Sequence, residues 1–256
     1  MKNRYPVLQH CLQVIRGISP GSVEQIIDVG VQRKTEFLMD VFPDKHHQLF
    51  EPVSTYHADL EANYRAKFIP YTLHKVALTN QKGSLFLHNT SNDGSGRVTH
   101  SQIRTSKDEN MKFLVNIEEI EASTLDDYFP AGTLPPLSYL IKMDVDGVEE
   151  LIIEGGQAVI RDASFVIIET SIGRRDLCSR AALLEKLGFR IFDICDNAYY
   201  FGQLALVDLV MINDRVRSAQ IKFRPWEYSE GKVIWSKWQH GFTALAQEGF
   251  DNPFTP

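Results

Sequence analysis

No apolar run in the chain approaches the ~18 residues that a membrane-spanning helix requires. No signal-peptide apolar region follows Met1-Lys2-Asn3-Arg4-Tyr5-Pro6, so a cytoplasmic location without a membrane partner is expected. Basic runs are also missing: none exceeds Arg33-Lys34 or Arg174-Arg175, and the formal net charge is −6. A nucleic-acid footprint needs a basic excess, so no nucleic acid is expected as a partner. Cysteine is scarce. Cys11, Cys178 and Cys195 are odd in number and far apart, forming neither a disulfide framework nor a CxxC pair, and read as reduced thiols. The eight histidines are scattered with no HxxxH or HExxH spacing, so no metal site is expected. Glycine is missing where a dinucleotide or P-loop enzyme would need it. Gly30 is followed by Val31, Gln32, Arg33, Lys34 and Thr35, so the loop has no GxGxxG to bring backbone amides to a pyrophosphate.

What is present is the alternating pattern of an α/β domain. The chain has 256 residues, enough for one large domain with a full core. Apolar positions at helical spacing run from Val7 to Ile15, and Gly17 to Gly21 ends them. Ile26–Val29 reads as a buried strand, Thr35–Val41 as a helix ended by Pro43, and Gln48–Phe50 as a second strand. A helix after Pro52 carries Tyr56, Leu60 and Tyr64 on one face. Tyr71–Leu78 reads as one further strand. Between about 81 and 128 the pattern changes, and this segment is expected to be an insertion. Within it Leu85–Leu87, Phe113–Val115 and Ile117–Ile120 read as strand, Asn89–Gly96 as loop, and Ser101–Asn110 as exposed polar chain. Regular order resumes with a strand at Leu137–Asp144, a helix at Val148–Ile153 closed by Gly155-Gly156, a strand at Phe165–Glu169 and a helix at Ala181–Leu187. Two final strands, Phe189–Ile194 and Leu204–Ile212, have a short connection that suits an antiparallel pair. The expected organisation is a single domain: core about 22–213, insertion about 81–128, and an aromatic extension 214–256 packed back on the domain.

Ligands of open α/β sheets bind beyond the C-terminal strand ends. Here those ends carry Asp28, Glu51, Ala77, Asp144 and Glu169. Asp28 and Glu51 lie 23 positions apart, about one strand–helix–strand unit, and Gly30 follows the first acid by two residues. That spacing fits a ribose-bearing cofactor, with the second acid on the ribose hydroxyls. Four acids on one rim favour a cationic ligand, and S-adenosylmethionine carries both a sulfonium and an ammonium.

Three stretches make the chain resemble the FkbM family of S-adenosylmethionine-dependent methyltransferases: Ile27-Asp28-Val29-Gly30, Leu49-Phe50-Glu51-Pro52, and Ile141-Lys142-Met143-Asp144-Val145-Asp146-Gly147-Val148-Glu149. Weaker likeness comes from Val76-Ala77-Leu78, Ser123-Thr124-Leu125-Asp126, Ile167-Ile168-Glu169 and Val207-Asp208-Leu209-Val210. The resemblance implies a doubly wound, Rossmann-like class I methyltransferase fold, with a mostly parallel seven-stranded sheet and an antiparallel last strand. It implies S-adenosylmethionine as cofactor and methylation of a hydroxyl on a sugar, glycan or small metabolite. By the family pattern Asp28, Gly30 and Val31 would lie at the methionine end, Glu51 and Pro52 at the ribose, Val76 and Ala77 against adenine, and Asp144 near the methionine or the acceptor. The first loop departs from the family's usual Asp-Val-Gly-Ala-Asn-x-Gly, with Val31, Gln32 and Lys34 in place of Ala, Asn and the second Gly. Lys34 then points outward, binds an acidic acceptor, or occupies space meant for cofactor.

An alcohol acceptor gains from a base that takes its proton. Asp144 and Asp146 are the expected catalytic residues, with Glu169 behind them. Lys142 and Asp144 share a face if the chain stays extended there, so a structural ion pair is an equal reading. Glu149 reads as a first-turn acid favoured by the helix dipole. His88, His100, Tyr199 and Tyr200 are weaker acceptor-side candidates. A homo-oligomer is left open. Two other classes stand beside the methyltransferase: a binding or scaffold protein that keeps the fold without turnover, and an NAD-dependent oxidoreductase, which the first loop disfavours.

Overall fold

The computed structural model describes residues 6–91, 94–145, 147–173 and 176–216. The elements in chain order are α1 (Leu8–Ile18), β1 (Gln25–Val29), α2 (Glu36–Val41), β2 (His46–Phe50), a 3-10 turn (Ser54–Tyr56), α3 (His57–Ala66), β3 (Tyr71–His74), β4 (Ala77–Leu78), β5 (Gly83–Thr90), β6 (His100–Arg104), β7 (Leu114–Ser123), α4 (Leu125–Tyr128), β8 (Tyr139–Met143), α5 (Glu149–Gly155), α6 (Gln157–Asp162), β9 (Phe165–Ser171), α7 (Asp176–Lys186), β10 (Phe189–Tyr200) and β11 (Gln203–Asn213).

Seven strands form the main sheet in the order β10-β11-β9-β8-β1-β2-β3. The neighbours from β9 through β8, β1 and β2 to β3 are parallel. β11, the last strand in the chain, runs antiparallel to both β9 and β10. This is the doubly wound sheet with a reversed last strand that the sequence implied. Both faces are covered, so its central strands are apolar on both sides. Ile27, Val29, Ile141, Met143, Val166 and Ile168 face α5, α6 and α7. The alternate positions Ile26, Leu140, Phe165, Ile167, Val210 and Ile212 face α1 and α2.

Between β3 and β8 the chain builds a second sheet, ordered β4-β7-β5-β6. Here the expectations need correction. Tyr71–Leu78 is not one strand. The chain leaves the main sheet after His74, and Ala77 and Leu78 pair instead with Ala122 and Ser123 of β7. Asn89 and Thr90 belong to β5 rather than a loop. Asn89 is buried because its side chain bonds Ser101, Asn116 and Glu118. His100–Arg104 is strand, paired with β5. Tyr199 and Tyr200 end β10 instead of lying in the connection. Helix α6 has no counterpart in the sequence reading. Asp126 caps it from 32 residues upstream, accepting from Ala158 N and Val159 N at 3.1 and 2.9 Å. Among the described residues no helix is long and apolar enough to cross a membrane. The aromatic extension beyond residue 216 lies outside the described residues.

Candidate functional site

Strand order reverses between β1 and β8, so the loops that follow them part and leave a crevice, where doubly wound sheets bind ligands. Gly30 stands at its centre, with φ +84°. A Cβ there would lie 1.9 Å from the backbone oxygen of Asp144 and 2.9 Å from a Val145 methyl. Only glycine lets the two loops close to this distance. Main-chain bonds lock the arrangement: Gly30 N donates to Phe50 O, and Asp144 N to Val29 O, both at 3.0 Å.

Glu51 follows β2 and is 2% exposed. Its carboxylate accepts from Gln32 N at 2.6 Å and from Val53 N at 2.8 Å. His57 Nε2 donates to its backbone oxygen at 2.8 Å. Burial nevertheless pushes the Glu51 pKa up to about 7, against those two amide bonds and with Asp28 and Glu118 adding to the rise. Gln32 reaches Glu51 from a left-handed conformation, φ +54°. Asparagine and glycine tolerate that conformation better than glutamine does.

Two clefts flank this loop. The smaller, about 60 Å³, has Gly30, Gln32, Glu51 and Pro52 on one side and Leu87, Ser101 and Ile103 of the second sheet on the other, with Asp144 and Val145 between. The inserted sheet is therefore its roof. The larger, about 410 Å³, runs along Gly30, Val31, Gln32 and Lys34 to Phe37, Lys142 and Asp144. Lys34 does not fill it. Its ammonium pairs with Glu36 at 3.3 Å, and the side chain is 47% exposed.

Beneath the larger cleft lies a charged row. Lys142 is 3% exposed, and its Nζ sits 2.8 Å from Asp144 Oδ2. Burial pulls the lysine pKa down, but Asp144, Asp28 and Asp208 outweigh it, and the net shift is upward. Asp28 is fully buried, and neither carboxylate oxygen has a hydrogen-bond partner. Burial raises its pKa, opposed by Lys142 and the neighbouring Thr35 hydroxyl. Glu169 is pushed up to about 8 by burial and then by Asp144. Asp208 is pushed up to about 7 by burial, with Lys142 opposing and Asp196 adding.

Gly30, Glu51, Pro52 and Asp144 thus meet at one cleft, and Gly30, Val31 and Asp144 at the other. Asp28 lies in the charged row. Val76 and Ala77 line neither cleft. Val76 packs in the core with Phe50 and Leu78, and Ala77 packs with Val53, Tyr56 and Leu87. Asp146 lies outside the described residues. Glu149 stands in the first turn of α5 as expected, but it is also 3% exposed, and its Oε2 accepts from Arg180 Nη2 at 2.7 Å. The signal for this was missed because Arg180 lies 31 residues away, on α7. Tyr56 was read as helix packing, yet it lines the smaller cleft with its hydroxyl on Val98 O at 3.0 Å. His88 is buried in the second sheet and accepts from Asp108 N at 2.8 Å, while Tyr199 and Tyr200 are exposed.

A family model described as the methyltransferase FkbM domain matches residues 28–191. No single curated protein matches the chain significantly. Among solved structures the chain is similar to precorrin-6y C5,15-methyltransferase from Geobacter metallireducens GS-15, at 10% identity and TM-score 0.43, covering 83% of this chain and 93% of that one. It is also similar to M. jannaschii TYW2 in complex with AdoMet, at 10% identity and TM-score 0.40, covering 80% and 73%. A third is the N,N-8-amino-8-demethyl-D-riboflavin dimethyltransferase RosA from Streptomyces davawensis, at 10% identity and TM-score 0.38, covering 80% and 55%.

Proposed function

The chain belongs to the FkbM methyltransferase family, and from that premise we propose that it methylates a hydroxyl oxygen of a sugar, glycan or small metabolite with S-adenosylmethionine as donor. The observation that carries the cofactor assignment is Glu51. It is a buried carboxylate fixed by two backbone amides at the mouth of the switch-point crevice, beside the one loop glycine that close packing demands. A buried acid in that place suits the two hydroxyls of a ribose. The orphaned Asp28 carboxylate and the raised pKa values of Glu169 and Asp208 describe a site short of positive charge, which suits a cationic cofactor. Lys34 and Glu36 both line the larger cleft, and their ion pair holds the ammonium at its wall, which leaves about 410 Å³ open for the cofactor.

When bound, S-adenosylmethionine supplies an electrophilic methyl carbon on sulfur; the acceptor oxygen forms the new bond as the carbon–sulfur bond breaks, leaving S-adenosylhomocysteine. Glu51 and Pro52 would hold the ribose end, and Asp28, Gly30 and Val31 the methionine end. Val76 and Ala77 would act on adenine from beneath, as packing rather than lining. Asp144 faces both clefts and is our choice for the group that receives the acceptor proton, with Asp146, two positions on in the sequence, the alternative. Lys142 would keep Asp144 oriented through its 2.8 Å contact. The roof strands β5 and β6 would shape the acceptor side. Positioning of this kind supplies much of the acceleration in a displacement reaction.

Calorimetry with S-adenosylmethionine, S-adenosylhomocysteine and NAD tests the reading. Both S-adenosyl compounds are expected to bind and NAD is not. Binding of NAD alone would overturn it. Methyl-labelled donor with a panel of hydroxylated acceptors then reports turnover. Asp144→Asn is expected to cut turnover at least 100-fold with cofactor affinity unchanged. Loss of cofactor binding in that variant would assign Asp144 to the cofactor instead.

A further inference from the structure

The three cysteines look unrelated in sequence, but the fold brings two of them together. Cys11 lies on α1 and Cys195 on β10, and both are fully buried. Asp193 stands two residues before Cys195, so both side chains leave the strand on the same face. The two sulfurs and one Asp193 carboxylate oxygen all lie within 4.8 Å of one another. All three residues fall outside 28–191, the part of the chain that the family model matches.

We propose that Cys11, Asp193 and Cys195 form a binding site for a thiophilic divalent cation, zinc being the best fit. Two thiolates and a carboxylate are donors zinc accepts, and three protein ligands leave a fourth position for water. At zinc–sulfur distances of about 2.3 Å and zinc–oxygen distances of about 2.0–2.2 Å, tetrahedral ligand atoms stand roughly 3.3–3.8 Å apart. From the 4.8 Å outer limit the site would close by roughly 1.0–1.5 Å. The surroundings hold the donors in place. β10 changes register on each side of this stretch, between Ile191 and Asp193 and between Cys195 and Ala198. The start of α1 is clipped to the next residue of β10: Asp196 N donates to Pro6 O at 2.8 Å, and Leu8 N to Asp196 Oδ1 at 3.1 Å. Leu12, Ile15, Phe165 and Val210 make an apolar shell around the thiols. Such a shell keeps water from competing for the metal. Among the described residues β10 is the edge strand of the main sheet, and a metal here would pin the N-terminal helix to it. On binding, two S–H bonds break and two metal–sulfur bonds form, with both protons released to solvent, so affinity rises with pH.

The test uses the full chain, kept reduced throughout, stripped with chelator and reloaded. Elemental analysis after dialysis is expected to find close to one zinc per chain. Cobalt in its place is expected to give a thiolate-to-metal charge-transfer band, kept in Cys178→Ser and lost in Cys11→Ser and Cys195→Ser. Asp193→Asn is expected to weaken affinity at least tenfold. A measurement on the unmutated chain guards against misfolded variants: zinc should slow alkylation of Cys11 and Cys195 at least tenfold and leave Cys178 unchanged. Zinc below a tenth of an equivalent, a cobalt spectrum without the charge-transfer band, or equal alkylation with and without zinc would each overturn the proposal.

Discussion

Glu51 couples protonation to ligand binding. Its folded pKa of about 7 lies above the ordinary 4.5 because burial disfavours the charge. In the ligand-free chain its contribution to stability is therefore fully present below pH 4.5 and lost as pH rises through 7. Ribose hydroxyls donate to the ionised carboxylate, so cofactor binding follows the opposite course. Affinity for S-adenosylhomocysteine should fall about tenfold per pH unit below 7 and level off above it. Glu51→Gln should flatten that profile, and calorimetry between pH 5.5 and 8.5 reads both. An unchanged slope in the variant would place the titrating group elsewhere. Gln32, one of the residues whose backbone holds Glu51, tells a different story. Its φ of +54° is a conformation that costs a glutamine about 1 kcal/mol and an asparagine less. Gln32→Asn keeps the amide that Glu51 accepts from and relieves this cost. Chemical denaturation should show a gain of roughly 0.5–1 kcal/mol with cofactor affinity held within twofold.

At the scale of elements, Arg180 is the main tie on the α5–α7 face. It is 4% exposed, it bonds Glu149 and Glu150 at the start of α5, and it also donates to the Glu169 backbone oxygen. Removing one partner of a buried pair strands the other charge, so Arg180→Ala should cost about 3–5 kcal/mol in urea unfolding. The joint change Arg180→Met with Glu149→Gln removes both charges and should recover most of that loss. A joint variant as unstable as the single one would mean that packing, not charge, governs the site. This tie also marks where sequence reading stops. The strand ends with Asp28, Glu51, Asp144 and Glu169 were legible because an apolar run ending in an acid is a local pattern. The Arg180–Glu149 pair, the Asp126 cap on α6 and the meeting of Cys11 with Cys195 each join residues more than 30 positions apart, and nothing near either partner announces the other. The run Val76-Ala77-Leu78 misled for a related reason. Its apolar pattern is the same whichever sheet it joins, and only the partner strand β7 decides. Gly155 does end α5, as its sequence suggests, and a Cβ there would lie 2.2 Å from Thr79 O, so it also marks a contact between α5 and the chain just after β4.

Across the whole molecule, the face of the sheet under α1 and α2 changes character toward the crevice, with a step of two residues between β8 and β9, where Lys142 stands opposite Ile167. Val210, Ile167, Leu140 and Ile26 are apolar; one step toward the crevice, the same face carries Asp208, Glu169, Lys142 and Asp28. Asp208 stands opposite Glu169 in register, and Lys142 opposite Asp28. Among the described residues Lys142 is the one cation in this row, with Asp144 and Asp196 adding further negative charge from its edges. Burial and these neighbours raise Glu169 and Asp208 from ordinary values of 4.5 and 3.8 to about 8 and about 7. Groups with raised folded pKa values stabilise fully below their unfolded values and lose that contribution as pH climbs through the folded ones. The ligand-free chain should therefore lose stability between about pH 4 and 8 through this row. His47 works in the other direction. Burial lowers it to about 4, so its contribution is present above 6.5 and lost as pH falls toward 4. Comparing a variant with the parent at each pH cancels His47. Glu169→Gln with Asp208→Asn should melt like the parent at pH 5 and higher at pH 8. Both side chains are partly open to solvent, so the gain is of order 1–3 kcal/mol, or roughly 3–10 °C in a chain of this size. An equal rise at both pH values would point to packing rather than charge. A cationic cofactor relieves the same repulsion, so S-adenosylmethionine should raise the parent's melting midpoint more at pH 8 than at pH 5, and the double variant should lose much of that difference. A row that costs the empty protein stability is then the feature that draws in the ligand, the usual exchange of stability for function at a binding site.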